Sequence, residues 1–95
     1  MTTKTAELSM ERLHDVGMWI DLKAALRLSP RELDVAILLV LGHTAGEISR
    51  RLGIGKGSVH TYIDRLKRKA QCDRRSQLVT RILIESGLLL QGPRH

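Results

Sequence analysis

At 95 residues with 42% apolar content, the chain can build one domain around one modest core and has nothing left for a second. A single cysteine, Cys72, excludes an internal disulfide framework, and no Cys and His spacing matches a zinc site, so neither metal nor cofactor is expected. The net charge of +6 is concentrated: residues 50–75 carry nine Lys and Arg against two acidic residues, whereas residues 1–49 carry five against seven. A single-sign patch of this kind raises the local concentration of polyanions, which makes nucleic acid the first partner to consider.

No apolar run reaches the length of a membrane span, and the opening MTTKTAELSMERLH lacks the basic-then-apolar order of a secretory signal. The expected compartment is the cytoplasm, with no membrane partner. The chain has no Phe, and Trp19 and Tyr62 are its large aromatics, so the core must be aliphatic and built from closely packed short helices.

Residues 1–5 are expected as a disordered start. A helical pattern follows over about 6–26, with Leu13, Val16, Ile20 and Ala24 on one face and Gly17 marking either a bend or a break between two shorter helices. Met18, Trp19 and Leu22 have two readings, cover for the domain or a subunit contact, and packing is favoured because small cores recruit the apolar surface they have.

Ser29, Pro30 and Glu32 spell a helix start: an N-cap, a proline at the first helical position and a capping-box glutamate three residues after the serine. The helix is expected to run to about Leu41, burying Leu33, Ile37 and Val40 or Leu41, and to stop at Gly42. Thr44 and Glu47 repeat the capping box for a short helix that buries Ile48 and Leu52 and ends at Gly53. Over 56–70, Val59, Ile63, Leu66 and Ala70 form one apolar stripe, opposite His60, Thr61, Asp64, Arg65, Lys67 and Arg68. Short helix, glycine turn and longer basic helix together have the order of a helix-turn-helix. Ser76 can cap a last helix, whose Leu78, Val79, Ile82, Leu83, Leu89 and Leu90 make a wider apolar surface than one domain needs. Residues 92–95 are expected as a tail.

The run LSPRELDVAILLVLGHTAGEISRRLGIGKGSVHTYIDRLKRKAQCDRRSQLV, Leu28 to Val79, resembles the LuxR-type (GerE-type) DNA-binding domain. Five short motifs carry the likeness in the family's order: L-[ST]-P-R-E, E-I-[AS]-x-x-L-x-I, [ST]-V, a basic helix end, and R-x-Q-L. They cover slightly more than half the chain. The resemblance implies an all-α fold: a four-helix helix-turn-helix domain over 28–91, preceded here by an N-terminal helical extension over 1–27. It also implies a third helix docked in the DNA major groove and a homodimer formed through the fourth.

Carried over by position, the resemblance makes Lys56 and Ser58 phosphate contacts and puts His60, Thr61 and Asp64 where base edges are read. Arg50, Arg51, Arg65, Lys67, Arg68, Lys69, Arg74 and Arg75 are candidates for further phosphate contacts, about half of them being expected to serve. The dimer interface is assigned to Leu78, Val79, Ile82, Leu83, Leu89 and Leu90. Three positions depart from the family's pattern: Asp64 where Lys or Arg is usual, Tyr62 where His is frequent, and His60 where a cation is common. Glu47 is expected to be structural, and Cys72 a buried, inert thiol. The expected function is a small transcription regulator acting on double-stranded DNA, without enzymatic activity. The alternative, motivated by Asp64 and the acidic first half, is a module of the same fold that binds another regulator or RNA polymerase.

Overall fold

In the computed structural model the described residues are His14 and 16–87, and they form five helices with no strand among them: α1 (Gly17–Leu26), α2 (Pro30–Val40), α3 (Ala45–Leu52), α4 (Lys56–Ala70) and α5 (Arg75–Glu85). The expected disordered start over 1–5 and the tail over 92–95 lie outside the described residues.

Helix α2 is the centre of the domain. Its residues Glu32 to Leu39 are all buried, because the run Val35-Ala36-Ile37-Leu38-Leu39 is apolar on every side and other helices pack around it. The expected single buried face through Leu33 and Ile37 is therefore part of a fully enclosed helix, and of its last residues Val40 is half-buried while Leu41 lies exposed. Both capping boxes form. Ser29 Oγ accepts from Glu32 N at 3.1 Å and Glu32 Oε1 accepts from Ser29 N at 2.9 Å; Thr44 and Glu47 repeat the pair at 3.1 and 2.8 Å. Each satisfies two backbone donors that a helix start leaves open.

The N-terminal helix differs from the expected pattern. Val16 is extended, so α1 starts at Gly17 rather than running through it, and the face through Val16, Ile20 and Ala24 points to solvent. Trp19, Leu22 and Leu26 are buried instead, with Met18 packed against them, which settles the two readings of Met18, Trp19 and Leu22 in favour of packing within the chain. The break at Val16 rotates the stripe, and a glycine in first position leaves the helix interior free of its entropic cost. Ahead of this helix, His14 Nε2 donates to Asp34 Oδ1 at 2.5 Å while Arg31 holds the other carboxylate oxygen at 3.2 Å.

Two helix ends carry no glycine. Arg27 and Gln71 both take the left-handed conformation with φ of 56°, and the following N–H groups of Leu28 and Cys72 bond back to Lys23 O and Lys67 O. At the start of α5 the cap is also not the expected one. Ser76 lies inside the first turn, and Gln77 Oε1 accepts from Asp73 N and Arg74 N, both at 3.1 Å.

One ion pair joins three of these elements. Lys69 Nζ, near the end of α4, donates to Glu32 Oε1 at 2.6 Å and to Arg27 O at 2.7 Å. Burial pushes the Glu32 carboxyl up, but the Lys69 hydrogen bond, the Ser29 N–H, the Lys69 charge and the Ser29 hydroxyl together hold it below the ordinary value of 4.5. A lowered carboxyl contributes stability that is present above its ordinary value and vanishes as pH falls through its folded value. Glu32→Gln, which keeps an acceptor but removes the charge, is expected to lower unfolding stability by about 1–2 kcal/mol at neutral pH. In urea titrations across pH the difference between wild type and Glu32→Gln should close below 4.5; a difference constant down to acid pH would rule out the ion pair as its source.

Candidate nucleic-acid interface

Helices α3 and α4 meet at a turn set by Gly53, whose φ of 68° puts it in the left-handed region. The turn is pinned from within: Ser49 Oγ donates to Ile54 O at 2.5 Å, and Ile54 N donates back to Ser49 O at 3.1 Å. Ile48, Val59, Ile63, Leu66 and Ala70 bury the inner stripes of the two helices, while Leu52 and Ile54 pack against the core from its edge. Burying that stripe fixes the rotation of α4. Its outer side is thereby committed to solvent, with His60, Thr61, Asp64, Arg65 and Arg68 all exposed.

The start of α4 differs from those of α2 and α3. Its N-cap, Gly55, has no side chain to accept a hydrogen bond, Lys56, Gly57 and Ser58 are exposed, and a Cβ placed on Gly57 would meet nothing within 4 Å. The first N–H groups of α4 therefore open outward. A Cβ on Gly46, in the first turn of α3, would lie 3.6 Å from Lys56 Cε and 3.8 Å from Arg50 Nη1, so two cations converge beside the starts of both helices. Glu47 does not join them as a ligand. The Thr44 N–H is the main influence that holds its carboxyl low, helped against desolvation by His43, the Thr44 hydroxyl and Arg50, in keeping with a capping role.

On the outer face, Arg65 lies over the Tyr62 ring at 5.5 Å from its centroid, and the two residues, with Ser58 and Thr61, line a small polar notch of about 150 Å³. Thr61 Oγ1 donates to Gly57 O at 3.1 Å. Asp64 is well exposed, with Lys67 Nζ 3.9 Å away. Arg50 and Arg51 are exposed in the last turn of α3. Two of the expected phosphate contacts are otherwise engaged: Lys69 is bound to Glu32 and Arg27, and Arg75 Nη2 donates to His43 O at 3.0 Å, bracing the loop between α2 and α3. Sequence reasoning missed the pairing of Tyr62 with Arg65, although their spacing of three residues on a helix was its signal.

The residues assigned to a dimer interface divide. Leu78 and Ile82 are fully buried within the single chain, because they are the stripe by which α5 packs on its neighbours, and they have no surface to offer a partner. Val79 and Leu83 are half-buried, and Leu89 and Leu90 lie outside the described residues. Ile84, not singled out in the sequence, is 53% exposed and lines an open groove of about 320 Å³ with Cys72, Ser76, Gln77, Thr80 and Arg81. Cys72 is thus half-buried at a groove edge rather than enclosed, its thiol donating to Ala70 O at 3.4 Å.

A short capped helix, a left-handed glycine turn and a longer helix with one buried and one basic side constitute a helix-turn-helix. The model of the luxR family of bacterial regulatory proteins matches residues 26–82, well over half of the chain. The chain belongs to that family. The match begins at the end of α1 and takes in α2, α3, α4 and most of α5, so the interface described above lies wholly within it. Among curated proteins, the chain is 37% identical over 60 residues to the HTH-type transcriptional activator RamA of Corynebacterium glutamicum. The alignment covers 63% of this chain and 21% of that protein. No solved structure matches the chain.

The divided fate of the α5 residues is testable. Ile82→Glu is expected to unfold the chain, since burying an unpaired carboxylate at a wholly enclosed site costs roughly 3 kcal/mol or more. Ile84→Glu should instead stay within about 0.5 kcal/mol of wild type, as surface changes usually do. Circular dichroism with urea measures both, and a folded Ile82→Glu variant would contradict the packing of α5.

Proposed function

We propose that the chain is a sequence-specific DNA-binding transcriptional regulator that lays α4 in the major groove and acts as a two-fold dimer on double-stranded DNA. The observation that carries this reading is the two-sidedness of α4: an enclosed inner stripe fixes its rotation, and the outer face presents polar side chains flanked by cations. A helix of this diameter fits the major groove, where its N-terminal half meets base edges. The description of RamA as a transcriptional activator points the same way. His60, Thr61 and Asp64 are the base-contacting residues in this reading.

Phosphate contacts fall to groups at the two helix starts and along the outer face. Lys56 and Ser58 lie in the uncapped first turn of α4, and Arg50 joins Lys56 beside Gly46 at the start of α3, where one backbone phosphate would meet donors and positive charge together. Arg51, Arg65, Lys67 and Arg68 are placed to follow the backbone on either side, whereas Lys69 and Arg75 serve chiefly to hold the domain together. The dimer uses the half-buried Val79 and Leu83 of α5, joined by the exposed Thr80 and Ile84. Such a protein works in the cytoplasm and needs no cofactor. Among the described residues no helix is long and apolar enough to cross a membrane.

Fluorescence anisotropy with duplex DNA at several salt concentrations tests the reading. Affinity should fall steeply with salt, and Arg68→Ala should reduce the slope of log K against log salt by about 0.9, the contribution of one neutralised phosphate. Lys69→Met should leave the slope unaltered while lowering stability. A flat salt dependence would overturn the proposal, and stoichiometric capture of a protein partner without duplex binding would favour a protein-docking module. For the assembly, Leu83→Glu combined with Ile84→Glu is expected to convert dimers into folded monomers by light scattering; dimers that persist would place the interface elsewhere.

A further inference from the structure

The outer face of α4 holds two groups whose local chemistry limits what each can read. Thr61 spends its hydroxyl hydrogen on Gly57 O at 3.1 Å, within its own helix. It has no hydrogen left to donate to a base or phosphate, and it presents the groove with its methyl group and an acceptor oxygen. Asp64 is held only loosely, its nearest cation 3.9 Å away and its side chain 71% exposed. A carboxylate on a face directed at DNA is repelled by phosphate and needs a donor. In the major groove guanine offers two acceptors, thymine one acceptor and a methyl, and adenine an amino donor beside the N7 acceptor. Cytosine alone offers an amino donor with no acceptor beside it on the same base.

We propose that Thr61 reads a thymine methyl group and Asp64 a cytosine amino group on neighbouring base pairs, so that a thymine and a cytosine lie side by side in each half-site. The inference rests on the placement of α4 in the major groove. The spacing supports adjacency: three residues advance about 4.5 Å along a helix, and successive base pairs are about 3.4 Å apart. His60 has no comparable constraint, being exposed and able to donate or accept, and it does not set a base identity. Lys67, beside Asp64, lessens the repulsion between the carboxylate and the backbone phosphates without satisfying the carboxylate itself.

The test begins with selection of binding sites from a randomised duplex pool by the full chain, followed by anisotropy competition on the selected site. The expected site contains the adjacent thymine and cytosine. Uracil in place of that thymine should weaken wild-type binding roughly fourfold, the value of one buried methyl group. It should have no effect on Thr61→Ser and its usual effect on Thr61→Val. Mutating the cytosine should weaken wild-type binding by roughly tenfold. Asp64→Asn should move the preference at that position towards adenine, which suits an amide. Both positions of change, 61 and 64, are exposed, so the three variants should fold. Failure to bind any duplex would sink the groove placement itself. A selected site that lacks the pair, indifference of wild type to uracil, or an Asp64→Asn variant that binds every sequence more tightly with the same preference would each overturn this base assignment while leaving DNA binding intact.

Discussion

The orientation of the basic helix depends on one buried carboxylate. Glu32 Oε1 accepts from Ser29 N at the start of α2 and from Lys69 Nζ at the end of α4, and the same ammonium reaches Arg27 O at the end of α1. One oxygen thus ties the central helix to the far end of the basic helix α4. The other end of α4 is fixed by the Gly53 turn and the Ser49 hydroxyl on Ile54 O. Held at both ends and anchored by Val59, Ile63 and Leu66 along its length, α4 cannot roll without breaking a bond at the partly buried ion pair. The groove reading proposed for α4 would need that rigidity, because a displacement of a small fraction of a base-pair step changes which edge each side chain meets.

Much of this was legible in the sequence where a residue type has one physical use. Ser29-Pro30-Arg31-Glu32 and Thr44 with Glu47 announce helix starts because few other arrangements satisfy the open N–H groups, and both boxes formed. Gly53 announces a turn because a left-handed φ disfavours a side chain. The α4 stripe was clear from its period. What local pattern could not give were features decided by tertiary packing. Arg27 and Gln71 end helices without glycine because the chain must reverse there, and the surrounding packing sustains their left-handed backbone. Val16 and Ile20 look like part of a buried stripe, but the break at Val16 turns Trp19 and Leu22 inward instead.

The candidate site was legible to a different degree. Position along α4 separates outer from inner residues, so His60, Thr61 and Asp64 could be placed on one face from the sequence. The partners of the cations could not. Lys69 bonds to a residue 37 positions away and Arg75 to one 32 positions away, and no period within either helix encodes that distance. For α5 the difficulty was surplus. Its apolar residues outnumber those of one face, and only the packing on α2 and α4 shows that Leu78 and Ile82 belong to the monomer while Ile84 does not.

The charge pattern acquires a sharper meaning from these contacts. Residues 50–75 carry nine cations, but Lys69 and Arg75 act on the fold, and Lys67 lies beside Asp64. The positive field is therefore carried mainly by cations at the helix starts and along the flanks of α4, around an outer face that includes a carboxylate. A negative group in such a place lowers non-specific attraction and gives up affinity for every sequence equally, unless a base donor meets it. Its cost falls on wrong sites and is recovered at the right one, which is how discrimination rises when affinity alone does not.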